Sequence, residues 1–165
     1  STALEVLAEG GDNSSLLSDA SDHNAYLASD SGAGAIGPGN YESVQLEVDA
    51  QNGVNLSVIT MLVNTNDAYT GINASSIAAL ASGESVSYNA PVWDAGTESN
   101  NEAAGTIPGP ADGGEGFNAA RSDSSDRVRF PSGVISNQDG LSGSVLTADH
   151  RFDNPAAVIT ITRLD

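Results

Sequence analysis

The sequence contains no cysteine, which excludes disulfide scaffolds, thiolate zinc sites and cysteine nucleophiles. It also contains no lysine: its five cationic side chains are all arginines, and they stand against 22 aspartates and glutamates, for a net charge of −17. Nucleic-acid binding and attachment to an anionic membrane surface both need a basic face, so we expect neither. No apolar run approaches the roughly 18 residues of a membrane-spanning helix, and we expect no membrane insertion.

The start of the chain bears on its compartment. It begins with Ser1 and shows no charged-then-apolar leader, which is typical of a processed or excised fragment. An acidic, lysine-free sequence rich in serine, asparagine and glycine suits a salty exterior with abundant divalent cations. We therefore expect a secreted protein, extracellular or periplasmic.

The length of 165 residues predicts a single domain with a substantial core. Two parts of it differ in pattern. In residues 1–39, Leu4, Leu7 and Ala8 have the spacing of one helix face, so we expect this part to be helical or irregular. We expect residues 40–165 to form the core of the domain from β-strands.

The hydrophobic period changes to two after this first part. Val44, Leu46 and Val48 alternate with polar residues and predict a half-exposed strand, and Asn52-Gly53 predicts a hairpin turn into a second strand. That second strand is predicted at 54–63, further strands at 84–92, 126–130, 143–147 and 157–164, and long polar loops at 64–76 and 94–125. Short strands joined by long loops predict a mainly β fold, an antiparallel β-sandwich with short N-terminal helices.

Three acidic residues follow the ends of two predicted strands. Asp67 comes after the second strand, and Asp94 and Glu98 come after the third. If these strands are neighbours, both loops leave the same end of the sheet, and a tight turn at Gly96 lets the acids face one point. Hard cations such as Ca²⁺ take six to eight oxygen ligands, so we predict a calcium site at Asp67, Asp94 and Glu98. In the competing interpretation the aspartates cap turns, and Glu98 and Glu102 are solvated.

Four motifs share their order with a known family. They are VNTNDAYTG at residues 63–71, WDAGTE at 93–98, IPGP at 107–110 and NPAAVITITRL at 154–164. Together they resemble the spondin N-terminal domain in its bacterial form, over roughly residues 40–165. The resemblance implies a C2-like β-sandwich with one calcium ion on Asp67, Asp94 and Glu98, where Glu98 is one carbon longer than the family's usual aspartate. It also implies a secreted, non-enzymatic adhesion module that binds the extracellular matrix or a cell surface.

Two other functions stay open. Domains of this family usually begin with a further strand, which appears absent here; another chain's strand could fill that edge and make the protein a subunit of an extracellular fibre, a homo-polymer. A more remote alternative is a glycosidase that uses a carboxylate pair, either Asp94 with Glu98 or Glu115 with Asp123. The few aromatic residues available to hold a sugar argue against it, so we expect no enzyme.

Three of the arginines, Arg121, Arg127 and Arg129, lie close together in the sequence. We expect them to form exposed ion pairs with Asp123 and Asp126. Such pairs contribute little to stability.

Overall fold

The computed structural model describes residues 1–49, 53–121 and 126–164. Its helices and strands are α1 Thr2–Gly10, α2 Ser14–Ser21, β1 Asn55–Met61, β2 Ala68–Ser76, β3 Ser85–Ala90, β4 Val92–Asp94 and β5 Ala157–Thr162, with 3₁₀ turns at Asn137–Asp139 and Ala148–His150. The strands pair antiparallel, which confirms the mainly β fold with short N-terminal helices. No helix within the described ranges is long and apolar enough to cross a membrane.

The strands form two sheets. In one, β2 lies between β1 and β4; in the other, β3 pairs with β5. Pro91 separates β3 from β4. Because proline has no backbone N–H to donate, the predicted single strand 84–92 divides here, and its two parts join different sheets. β2 also contacts both strands of the second sheet.

The register brings two loops to the same end of the three-stranded sheet. Met61 pairs with Tyr69, so residues 62–67 form the turn between β1 and β2. Ala68 pairs with Asp94, so this turn lies beside the segment that follows β4.

Helix α1 packs against the sheet and belongs to the core. It begins after Ser1, whose hydroxyl accepts a hydrogen bond from the Leu4 amide (3.4 Å). It ends before Gly11, whose φ of 73° is one that glycine adopts without strain. The helix contacts β1 and β2 and buries Ala3, Leu7, Ala8 and Glu9. The other buried apolar residues are Val54, Ala68, Ala90, Val92, Ala95, Ile107 and Leu146, so the core draws on the loops as well as on regular elements.

The strand predictions have mixed outcomes. β1 and β5 confirm the strands predicted at 54–63 and 157–164. The strands predicted at 43–49 and 143–147 are wrong, because these segments are irregular. The strand predicted at 126–130 is also wrong, because it is reduced to one bridge between Arg129 and Asp94.

The polar loop predicted at 64–76 contains β2, the central strand of its sheet. Its sequence, AYTGINASS, shows little alternation of apolar and polar residues, and only Ala68 and Thr70 are buried in it. Backbone pairing on both sides, which side-chain polarity does not reveal, makes it a strand.

The predicted first strand lacks a neighbour. A strand is stable when another strand satisfies its N–H and C=O groups, and no described strand pairs with residues 43–49, whose Val44, Leu46 and Val48 are exposed. Asn52 of the predicted hairpin lies outside the described residues. β1 pairs instead with β2.

Candidate functional site

Asp67 lies at the end of the β1–β2 turn, with its side chain almost fully buried. The turn is shaped by Thr65, whose hydroxyl donates to the carbonyl of Leu62 (2.7 Å) and accepts from the amide of Ala68 (3.1 Å). Asp67 Oδ2 accepts hydrogen bonds from the amides of Thr97 (2.7 Å) and Glu98 (2.9 Å). This carboxylate therefore holds the loop after β4 against the turn.

Asp94 ends β4 and is also buried. Its Oδ1 accepts from the Gly96 amide (2.8 Å), and its Oδ2 accepts from Asn100 Nδ2 (2.9 Å) and Arg129 Nε (3.1 Å). Gly96 has a φ of 73°, and a Cβ there would lie 2.3 Å from the carbonyl oxygen of Arg127. Only glycine fits this bend, which is the tight turn predicted between the acids.

Glu98 is close to Asp67 in the backbone, and its carboxylate lies near both Arg121 and the side chain of Asn66. Glu98 Oε2 lies 3.4 Å from Arg121 Nη2, and the same nitrogen lies 3.1 Å from Glu9 Oε2 of helix α1. Arg121 also donates to the carbonyls of Thr106 (3.1 Å) and Gly116 (2.5 Å). Burial raises the pKa of Glu98 to about 7; Arg121 opposes this rise, and the charge of Glu9 adds to it.

The arginines differ from the sequence-based expectation. Arg121 is largely buried between two carboxylates, and Arg129 contacts Asp94 of the site. Asp123, one of the expected partners, lies outside the described residues. Two of these arginines contact acids that are distant in sequence, namely Glu9, Asp94 and Glu98.

Glu102 is a site residue that sequence reasoning missed. The competing interpretation of the sequence leaves it solvated, yet it is only 3 % exposed. Its Oε1 accepts from the amide of Ile135 (3.4 Å), and its Oε2 has no hydrogen-bond partner among the described residues. Burial raises the pKa of Glu102. The only sequence signal was its place in the acidic loop after Asp94.

A small cavity lies between these groups. The space open to a water-sized sphere is about 20 Å³, roughly what one water molecule needs. Leu146 and Phe152 contribute to its apolar part, and its polar wall consists of Thr65, Asn66, Asp67, Asp94, Asn100, Glu102 and Ser132. Glu98 is not part of the wall. Of the three predicted ligands, Asp67 and Asp94 line this cavity, whereas Glu98 lies outside its wall, next to Arg121 and Asn66.

Burial of the acidic side chains on the cavity wall is unfavourable for their charged forms. Burial raises the pKa of Asp67, the amides of Glu98 and Thr97 oppose the rise, and the charge of Asp94 adds to it. Within the described ranges, no three histidine, cysteine, aspartate or glutamate side chains are arranged so that they could hold a metal ion together as they stand. The wall does offer oxygen donors of the kind that hard cations prefer. Side-chain rotation would be needed to converge them on one ion.

Comparison of the chain with protein-family models, with curated proteins and with solved structures found no match.

Proposed function

We propose that this chain is a secreted, calcium-binding, non-enzymatic module with a C2-like β-sandwich fold, as the resemblance to the spondin N-terminal domain implies. One observation carries the proposal: Asp67 and Asp94, from two adjoining loops, are buried on the wall of a cavity that has room for one small occupant. Carboxylates are seldom buried without a compensating charge. A divalent cation supplies that charge.

The charges around the cavity support a cation rather than an anion. Asp67, Asp94 and Glu102 bring three carboxylates to the wall, whereas Arg129, itself 42 % exposed, contacts only Asp94 among these acids. Like charges at short range raise one another's free energy, and Ca²⁺ would relieve this repulsion. The amide oxygens of Asn66 and Asn100 can add to the six to eight oxygens that Ca²⁺ prefers.

Exposed apolar side chains support a binding role for the module. Tyr26, Leu27, Ile36, Tyr41, Val44, Leu46 and Val48 are all exposed in one segment of the chain. Exposed apolar side chains of this kind are available for contact with a partner. A matrix component, a cell-surface molecule or a second copy of this chain is the kind of partner we expect.

A melting experiment tests calcium binding. A ligand that binds only the folded state stabilises it by about 2.7 kcal/mol at a hundredfold excess over Kd, which raises Tm by about 5 to 11 °C for a chain of this size. We expect this rise when Ca²⁺ replaces a chelator, and we expect Asp67→Asn to abolish it.

The exposed acid Glu47 provides the matched control, since Glu47→Gln removes the same charge from the surface and should keep the full rise. An unchanged Tm of the wild-type protein at millimolar Ca²⁺ would refute the proposal.

A further inference from the structure

Glu102 is the most poorly satisfied acid on the cavity wall. The residue is only 3 % exposed. Its Oε1 accepts one long hydrogen bond from the Ile135 amide (3.4 Å), and its Oε2 has no hydrogen-bond partner among the described residues. A buried polar atom without a partner is destabilising, because it has lost its hydrogen bonds to water without gaining others. Such an atom on the wall of a cavity for one small occupant marks the place where a ligand would bind.

Glu98, in contrast, already has a cationic partner. Its Oε2, like that of Glu102, has no hydrogen-bond partner among the described residues, but it lies 3.4 Å from Arg121 Nη2. Arg121 is anchored in turn by Glu9 and by backbone carbonyls. To reach an ion in the cavity, Glu98 would have to leave Arg121 and uncover a buried guanidinium. Glu102 would have to leave only a weak hydrogen bond.

We propose that the third acidic ligand of the cation site is Glu102, and that Glu98 instead positions the loop through Arg121. This inference rests on the proposed function, because it assigns the ligands of that same site. Asn66, which is 3 % exposed, lines the cavity beside Asp67, and its side chain also interacts with the Glu98 carboxylate. Rotation of this amide would turn its oxygen to the ion.

Calcium titration calorimetry on the whole chain separates the two glutamates. Substitutions that only perturb the surroundings of a metal ligand typically weaken affinity 10–100-fold, so loss of a charged ligand in Glu102→Gln should raise Kd at least about tenfold. The matched variant Glu98→Gln should change Kd less than threefold. If the wild-type protein binds no Ca²⁺, the proposed function fails. If it binds and Glu98→Gln loses affinity as much as or more than Glu102→Gln, the function stands and the ligand assignment fails.

An NMR titration of the wild-type protein keeps the assignment testable if a variant does not fold. The amide of Ile135, which donates to Glu102, should shift as Ca²⁺ binds, and the Arg121 Nε–H signal should stay in place. A shift of the Arg121 signal with no change at Ile135 would overturn the assignment.

Discussion

Two regions of this molecule differ from what their hydropathy suggests: one buries acidic side chains, and the other exposes apolar ones. The loops around the cavity contain Asp67, Asp94, Glu98 and Glu102, and all four are buried. The segment 26–48 is rich in valine, leucine, isoleucine and tyrosine, and many of these side chains are exposed. Apolar character alone therefore does not decide which part of this chain is buried.

The difference follows from the partners that each region finds. Asp67 accepts two backbone amides, Asp94 accepts an amide, an asparagine and an arginine, and Glu98 faces Arg121. Each of these contacts offsets part of the cost of removing a charge from water. The segment 26–48 joins none of the described helices or strands. Without a packed neighbour its apolar side chains have nothing to be buried against.

The strongest test of this comparison is to remove the arginine that pairs with two buried acids. In Arg121→Met, Glu9 and Glu98 stay buried without their partner, and breaking a buried ion pair in this way costs about 3–5 kcal/mol. Urea unfolding measures the loss. The matched control is Arg151→Met, because Arg151 is half exposed and pairs with the exposed Asp139; it should cost at most about 1 kcal/mol. Equal losses in the two variants would contradict the burial of the acids.

Two leucines, one buried and one exposed, test the same contrast for apolar side chains. Leu146 is fully buried beside the cavity, whereas Leu46 in the segment 26–48 is 37 % exposed. Leu146→Ala should cost about 2–5 kcal/mol in unfolding free energy, including the space it leaves, and Leu46→Ala should fall within about 0.5 kcal/mol of wild type. A large loss for Leu46→Ala would show that the segment packs in solution.

The sequence makes the proximity of Asp67 and Asp94 predictable, on the condition that the strands before them are neighbours. Polar residues that follow strand ends gather at one edge of a sheet, and that pattern is visible in the sequence. The two strands that deliver them are not neighbours, however, because β2 lies between β1 and β4. The loops meet because β1 and β4 both pair antiparallel with β2 and therefore end at the same edge of the sheet, where Ala68 pairs with Asp94.

The burial of Glu102 could not be predicted from local sequence. Its burial depends on Ile135, which is 33 residues away, and on Leu146, which closes the same cavity. Likewise, the partner of Glu98 is an arginine whose other contact, Glu9, lies 112 residues from it. Local patterns show which residues are acidic and which turn is tight, but they do not show which distant groups cover them.

We expect the smallest effect at Asp139, which is exposed, unlike the buried acids of the cavity. Arg151 donates two hydrogen bonds to Asp139 (2.6 and 2.7 Å), and Ser136 donates through its hydroxyl (2.7 Å) and its amide (3.0 Å). These contacts lower the pKa of Asp139 from its ordinary value of 3.8 to about 2. Because its pKa is lower in the folded than in the unfolded chain, Asp139 stabilises the fold above pH 3.8, and this contribution is lost as the pH falls towards 2.

Asp139→Asn should therefore lower Tm slightly at neutral pH and show a smaller decline than wild type between pH 4 and pH 2. Asp149→Asn, which changes an exposed acid in the neighbouring 3₁₀ turn, is the control and should follow the wild-type curve. If the Asp139 variant also follows that curve, the bidentate contact with Arg151 does not persist in solution. In that case solvent weakens even a well-aligned ion pair at the surface. The buried and the exposed acids would then differ more in their contribution to stability than the structure indicates.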